Sequence, residues 1–326
     1  MFSGVVLEEK VLHLKEMLMN VGIFGMKQIQ ELFVEKFTEE KIKVERSLSE
    51  YTNTKTGGPA EILAFPTETK DICEMINIAN EYQLRVTVIG NASNLIVREK
   101  GIRGLVIILT NMKSIKIENS TVIAEAGASL IGVTERVYSA GLTGMEFAAG
   151  IPGSVGGAVF MNAGAYEGDV SQVVSEVEVL TPEGKMRTYT NEEMNFAYRH
   201  SRIQDEEDIV LKAVFRLQSG DKKKIREKMD NFNFLRGSKQ PLEYPSCGSV
   251  FKRPKGYFTG KLIHDAGLQG FMIGGAQISL KHAGFIVNRG NATASDYIAV
   301  IKYIKTIIKQ DFSVELQTEV RIIGEK

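Results

Sequence analysis

The stretch GMEFAAGIPGSVGGAVFMNAGAY, Gly144–Tyr166, decides how the chain is read. From Phe147 to Tyr166 it carries no charged side chain, and it is long enough to cross a bilayer. Gly150, Gly153, Gly156, Gly157, Gly164 and Pro152 argue against a membrane helix, because each weakens or breaks helical hydrogen bonding. A glycine-rich loop packed against something is the better reading. The spacing is not the G-x-G-x-x-G of a dinucleotide fold, and no Gly-Lys-Ser/Thr follows to make a nucleotide phosphate loop. Four glycines at 150, 153, 156 and 157 suit close approach of backbone to a flat or phosphorylated ligand. Dense packing of small residues for structural reasons also accounts for them.

Outward from this stretch, the pattern divides the chain. From 106 to 220 strands dominate: SIKIEN, TVIAEAG, VSEVEVLTPEG and IVLKAVFRL are short, β-branched and bounded by turns, with one helix at Leu130–Ala140. From 45 to 105 strand and helix patterns alternate, with AEILAFP, RVTVIG and GLVIIL as strands and KDICEMINIANEY as an amphipathic helix. Residues 1–44 read as helical, in VLHLKEMLMNVGIF and IQELFVEKF. Met26 opens a second candidate start, which makes residues 1–25 an extension. Residues 221–326 form a third segment, with helices at KKKIREKMDNFNFLRG (222–237), near 260–266 and near 294–310, the strand FIVN, and a terminal strand ELQTEVRIIG. An α+β fold of closely packed domains is expected, bounded at 44, 105 and 220.

Bulk properties narrow the function. At 326 residues the chain exceeds what one core usually supports. Forty basic residues balance forty acidic ones, so no overall field gathers nucleic acid or anionic lipid. Residues 1–25 place Glu8, Glu9, Lys10, Lys15 and Glu16 among apolar positions, unlike a secretion signal. Cys73 and Cys247 are too few for a disulfide framework, and a reducing cytoplasm is expected. His13, His200, His264 and His282 show no metal-ligand spacing, so no metal is expected.

Five further motifs carry candidate chemistry. TNTKTGG, Thr52–Gly58, pairs small hydroxyl residues with glycines, and reads either as a ligand loop or as a turn before a strand. VIGNASNL, Val88–Leu95, runs a strand into a loop of small polar residues that can hold a pyrophosphate by backbone N–H groups, or that simply caps a turn. AYRHS, Ala197–Ser201, offers the planar fork of Arg199 to a carboxylate or enolate, and in a strand His200 would face the other way. KQPLEYPSCGSVFKRP, Lys239–Pro254, sets hydroxyls, a thiol and cations between prolines. It has no Gly-x-Ser-x-Gly elbow, and Cys247 reads more simply as a small buried residue. In LQTEVRII, Leu316–Ile323, Glu319 and Arg321 share one side of a strand.

Taken in order, these motifs resemble the MurB family of flavoenzymes: TNTKTGG, GNASN, GMEFAAGIPGSVGGAVFMNAGAY, AYR, YPSCGSVFKRP, GGAQIS with LKHAGFIVN, then TEVRIIG. The match runs from about residue 45 to the C-terminus. The compact connection between Arg199 and Ser249 is similar to the family's shorter subclass. The resemblance implies a two-part FAD-binding region of the vanillyl-alcohol-oxidase type, plus a C-terminal α+β domain for a sugar nucleotide. It implies NADPH as hydride donor and UDP-N-acetylglucosamine enolpyruvate as substrate, reduced to UDP-N-acetylmuramate for peptidoglycan. A monomer is expected. No histidine lies in the three glycine-rich motifs, so FAD is expected to be non-covalent.

Residue roles implied by the resemblance follow position by position. Thr52, Asn53, Thr54, Gly57 and Gly58 are candidates for FAD, as are Gly90, Asn91, Ala92, Ser93, Asn94 and Leu95. Ala149, Gly150, Pro152, Gly153, Ser154, Gly156, Gly157 and Asn162 complete that set. Arg199 and Glu319 match the pair that stabilises an enolate, with Glu319 protonated or sharing its proton with Arg199. Ser249 matches the proton donor. Lys252 and Arg253 are candidates for the substrate's carboxylate or diphosphate, and Lys239 and Tyr244 for other substrate contacts. Ala92 departs from the family's frequent glycine, so the loop must avoid a positive φ there or accept strain. Gln317-Thr318 replaces a frequent Glu-Pro before Glu319, which affects local rigidity only. A flavin-dependent oxidase of the same superfamily is the alternative; the Ser249, Arg199 and Glu319 set speaks against it, because an oxidase needs a base.

Overall fold

Apolar residues one helical turn apart begin the structure. The computed structural model describes residues 25–326, and the segment VLHLKEMLMNVGIF lies outside them. Residues 25–41 are helical, with Ile29, Phe33 and Phe37 buried at i, i+4 and i+8. The chain then enters the strand Ile42–Ser47, which pairs antiparallel with Pro59–Ala64, Ile42 opposite Ala64. The boundary expected at 44 therefore falls inside a strand. Helical periodicity upstream hid a six-residue strand whose outward face is polar.

Pro59–Ala64 and Val86–Ile89 flank the central strand Ile102–Ile108, both parallel to it. The helix Thr69–Glu81 makes the crossover. Its first turn is tied to the end of the preceding helix by Lys41 and Asp71, 2.7 Å apart. Six of the seven residues of Ile102–Ile108 are buried, as a central parallel strand requires. The boundary expected at 105 splits this strand. A second, antiparallel sheet of five strands runs in the order Met186–Thr190, Val174–Leu180, Ile209–Arg216, Thr121–Glu125, Ile115–Glu118. The two sheets are not separate bodies: one apolar core runs from Phe33 and Leu105 through Val122 and Val177 to Phe215.

The third segment opens with the helix Lys222–Lys239, of which only Ile225 and Met229 are buried. A four-stranded antiparallel sheet follows, ordered Ser246–Ser249, Phe285–Asn288, Ala276–Ile278, Met272–Ile273. The helices Thr259–Asp265 and Ala294–Phe312 complete it, around a core that includes Cys247, Ile263, Tyr297 and Ile301. Ile96, from the short strand Leu95–Val97, belongs to this core. The tail strand Arg321–Ile323 pairs in parallel with Leu95–Val97, Arg321 opposite Leu95. A segment of the first sheet's loop region is thus held by the last residues of the chain.

Around the uncharged stretch, Val155–Phe160 is a helix of six residues. Among the described residues, no helix is long and apolar enough to cross a membrane.

Candidate active site

The three segments meet at a cleft of about 700 Å³. One wall is backbone and small side chains: Ser93, Asn94, Pro152, Gly153, Gly157, Ala158 and the run Ala163–Ala165. The loops that build it are stapled together. Asn91 Nδ2 donates to Pro152 O at 2.8 Å, and Ser154 Oγ caps the short helix by accepting from Gly157 N at 3.4 Å. A Cβ on Gly90 would lie 2.3 Å from that Oγ, so glycine is needed there for the loops to close. Ala92 takes the strained alternative, with φ +47°. A left-handed residue amid the loop makes a concave run of amides. Among the described residues, the N–H groups of Asn91 to Asn94 have no acceptor.

The glycines here are bare for different reasons. A Cβ on Gly156 would meet Ala126 Cβ at 2.9 Å, and one on Gly58 would meet Glu99 O at 1.9 Å. Those two are bare because the protein crowds them. Gly153 and Gly157 would meet nothing closer than 3.9 and 3.4 Å. Their bareness keeps the cleft wall flat. A flat wall beside unpaired amides is the shape and donor set that an isoalloxazine ring with a pyrophosphate requires, so the residues fit FAD.

Adjoining it, a second part of the lining carries side chains from distant parts of the chain. Arg199 Nε donates to Glu319 Oε1 at 2.9 Å, and Arg199 Nη2 donates to Gly164 O at 2.8 Å. The side chains are 21% and 15% exposed, so the pair is screened little by solvent. Burial raises the Glu319 pKa above the ordinary carboxylate value, and Arg199, then Lys252, hold it back. AYRHS is not a strand. Ala197 and His200 exchange backbone hydrogen bonds in a tight turn, and Arg199 sits in it at φ +57°. His200 turns away to Asp205, 3.1 Å distant.

Ser249 is exposed and lines the same cleft. It ends the strand Ser246–Ser249, whose pairing with Phe285–Asn288 is interrupted by a register shift at Gly248, φ +73°. Such a bulge re-aims the next side chain. Among the described residues Ser249 Oγ has no hydrogen-bond partner. Glu319 reaches the cleft from just before the tail strand, held by Glu319 N to Val250 O at 2.8 Å and Asn94 Nδ2 to Glu319 O at 3.2 Å.

The other expected residues divide between the cleft lining and the structure behind it. Thr52 and Thr54 are buried, with Thr52 Oγ1 donating to Thr56 O; Asn53 and Lys55 between them reach the cleft. Gly57 packs on Leu48 and Val97. Ala149 joins Ile225 and Met229 in a small core, and Gly150 lies against Asn233 and Arg236 of the Lys222–Lys239 helix. Asn162 spends its side chain on Ala197 O and Ser171 N, so it shapes the Arg199 turn. Leu95 begins the strand that the tail pairs with. Tyr244 lines the cleft, with the Arg289 guanidinium 4.2 Å above its ring. Lys239 instead lines a smaller neighbouring cavity with Tyr166, Arg236 and His282. Arg253 stacks on Phe258 at 3.8 Å and is not among the lining residues, nor is Lys252.

Arg236 was not singled out by sequence, since it resembles the other cations of its helix. It lines both cavities and, among the described residues, has no carboxylate partner. Burial lowers its pKa, yet a guanidinium stays charged. Cys247 also lines the cleft, but its buried thiol is pushed up to about 12 and is unreactive at neutral pH.

Comparison with known proteins agrees with this geometry. Residues 240–323 match the model of the UDP-N-acetylenolpyruvoylglucosamine reductase C-terminal domain, and residues 60–190 match an FAD binding domain. The UDP-N-acetylenolpyruvoylglucosamine reductase of Pediococcus pentosaceus is 59% identical over 290 residues, covering 89% of this chain and 97% of that protein. Its counterpart from Lactiplantibacillus plantarum is 60% identical over 289 residues, covering 89% and 96%. The crystal structure of UDP-N-acetylenolpyruvylglucosamine reductase (MurB) from Thermus caldophilus superposes with a TM-score of 0.76 at 31% identity, covering 87% of this chain and 100% of that one. With the motif order, the cleft and full-length relatives in agreement, the chain belongs to the MurB family of UDP-N-acetylenolpyruvoylglucosamine reductases.

Proposed function

We propose that this protein reduces the enolpyruvyl ether of UDP-N-acetylglucosamine enolpyruvate to UDP-N-acetylmuramate, a step of peptidoglycan precursor synthesis. The observation that carries the residue-level reading is the Arg199–Glu319 pair, 2.9 Å apart, on a cleft shared with Ser249. The loops at 90–94 and 152–157 would hold FAD through backbone amides and a flat wall, and the bound group would supply hydride-transfer chemistry between NADPH and the terminal alkene carbon. Among the described residues no histidine lines the cleft, and burial pushes the Cys247 thiol up to about 12, which favours non-covalent attachment.

Hydride addition leaves negative charge on the carbon bearing the ether oxygen, delocalised into its carboxylate. Arg199 meets that charge with a guanidinium already fixed by Gly164 O and Glu319. Glu319, its pKa raised by burial, accommodates a proton and so avoids repelling the enolate. Ser249, whose hydroxyl has no partner among the described residues, gives its proton to the same carbon. Arg236 faces the phosphates of either reactant. Free Cys73 and Cys247 suit a reducing cytoplasm.

The test is product analysis after incubation with NADPH and the enolpyruvyl substrate. The reading requires a product heavier than the substrate by two hydrogens, formed in step with NADPH consumed. NADPH consumption that needs oxygen and leaves the substrate unchanged would sink it.

A further inference from the structure

Gln204 lies outside the cleft and has no assigned role, yet it touches both supports of the Arg199–Glu319 pair. It sits in the one-turn helix Ile203–Glu206, directly after the Arg199 turn. Its Nε2 donates to Phe160 O at 2.7 Å and to Arg199 O at 3.2 Å, and its Oε1 accepts from Arg321 Nη1 at 3.4 Å. Two carbonyl partners on one side and a guanidinium on the other fix which way round the amide lies.

Each partner matters to the geometry. Phe160 O closes the short helix of the flat wall. Arg321 lies two residues beyond Glu319, in the strand that pairs with Leu95–Val97. Arg199 holds φ +57°, a conformation a non-glycine residue keeps only where its surroundings enforce it. Asn162 holds Ala197 O, and Ser201 Oγ holds Phe160 O. Among the described residues, Gln204 is the one side chain bonded to the backbone of Arg199 itself.

We infer that Gln204 is a positioning residue: it locks the Arg199 turn to the tail that carries Glu319, so that the two side chains meet in register at the cleft. The inference rests on the roles given above to Arg199 and Glu319.

The experiment follows flavin absorbance anaerobically in the full-length holoenzyme, with NADPH added first and the enolpyruvyl substrate second. Gln204→Met keeps the side chain's length and removes all three bonds. Gln204→Glu keeps the acceptor for Arg321 and sets a carboxylate oxygen against two carbonyls. Both are expected to slow recovery by about tenfold or more, while bleaching by NADPH changes less than about twofold. The pH limb of recovery that Glu319→Gln abolishes should move to higher pH in Gln204→Met. Glu319 is faced by Arg199 and Lys252, and displacing Arg199 weakens the field holding its proton loosely.

A purely structural role would scale both half-reactions together and leave the limb in place; that result overturns the inference. So would wild-type recovery in Gln204→Glu, which keeps the test open if Gln204→Met does not fold. Arg199→Lys separates the two levels. If it slows recovery and the Gln204 variants do not, only the inference on Gln204 falls. If Arg199→Lys leaves recovery untouched, the role of Arg199 falls and the inference with it.

Discussion

The wall formed by residues 90–94 and 152–165 and the wall formed by Arg199, Ser249 and Glu319 face one cleft but are specified in opposite ways. The first acts through amides and missing side chains. Its residues fall in two short runs joined by Asn91, with Ser154 capping the short helix, and no single side chain carries the proposed function. In the proposed reading, the second acts through three side chains drawn from positions 199, 249 and 319, each aimed by a local device: a left-handed turn, a bulge and a tail returning to an earlier strand. Holding a large cofactor tolerates distributed contacts, whereas meeting charge as it develops demands a few groups placed to within a fraction of an ångström. Single substitutions should therefore hurt the second wall's chemistry and the first wall's occupancy, and seldom both.

The largest effect expected is from Ser249→Ala. Recovery of the flavin by substrate should slow by about 10³-fold, the scale of general-acid catalysis, with bleaching by NADPH nearly intact. Rapid-mixing absorbance measures both; equal loss of the two would break the division between walls. Arg199→Met comes next, at about 10²-fold in the same step, because one preorganised charge is removed. Its melting temperature should also fall, since Glu319 is left buried beside Lys252 alone.

The flavin wall sharpens the comparison through its glycines. Gly157→Val should weaken FAD retention, read by flavin fluorescence after gel filtration, with little change in apoprotein melting. Gly156→Val should cost about 2 kcal/mol of stability by overpacking against Ala126, read by denaturant titration. Reversal of that pattern would mean the cleft is not where the ring lies. Arg236→Met should raise KM for both reactants by about tenfold, the size of one charge-assisted hydrogen bond, with kcat little changed.

The smallest effect concerns pH. Burial keeps the Glu319 pKa above its ordinary value of 4.5, so the folded chain holds that proton more tightly than the unfolded chain. Its contribution to stability is full below the ordinary value and is lost as pH rises through the raised one. Glu319→Gln should remove that slope, seen as wild type losing stability relative to the variant as pH rises across the window.

Legibility followed the same division. The glycine-rich wall stood out in composition, and the helices at 69–81, 130–139 and 294–312 followed from periodicity. Which glycine serves the cofactor was not legible, because Gly156 and Gly157 differ only in what lies across from them, Ala126 or open cleft. The Arg199, Ser249 and Glu319 set came from the order of motifs resembling a family; no local pattern joins positions 120 residues apart. The motifs make Thr52, Gly58 and Asn162 candidates for the cofactor; the Thr52 and Asn162 side chains bond neighbouring backbone, and a Cβ on Gly58 would meet Glu99 O. Arg236 and Gln204 had no signal at all. A cation becomes a binding group by lacking a carboxylate, and an amide becomes a brace by the carbonyls around it. Both are properties of the folded chain. The strand Ile42–Ser47 was missed because only Ile42 at its start is fully buried.

The division of labour is tested most directly by one anaerobic trace on wild type and Ser249→Ala. NADPH is added, then UDP-N-acetylglucosamine enolpyruvate, while the oxidised flavin band is followed. The account predicts bleaching in both proteins, prompt recovery in wild type and recovery slowed by orders of magnitude in the variant. Bleaching without recovery in wild type, or equally fast recovery in both, would contradict it.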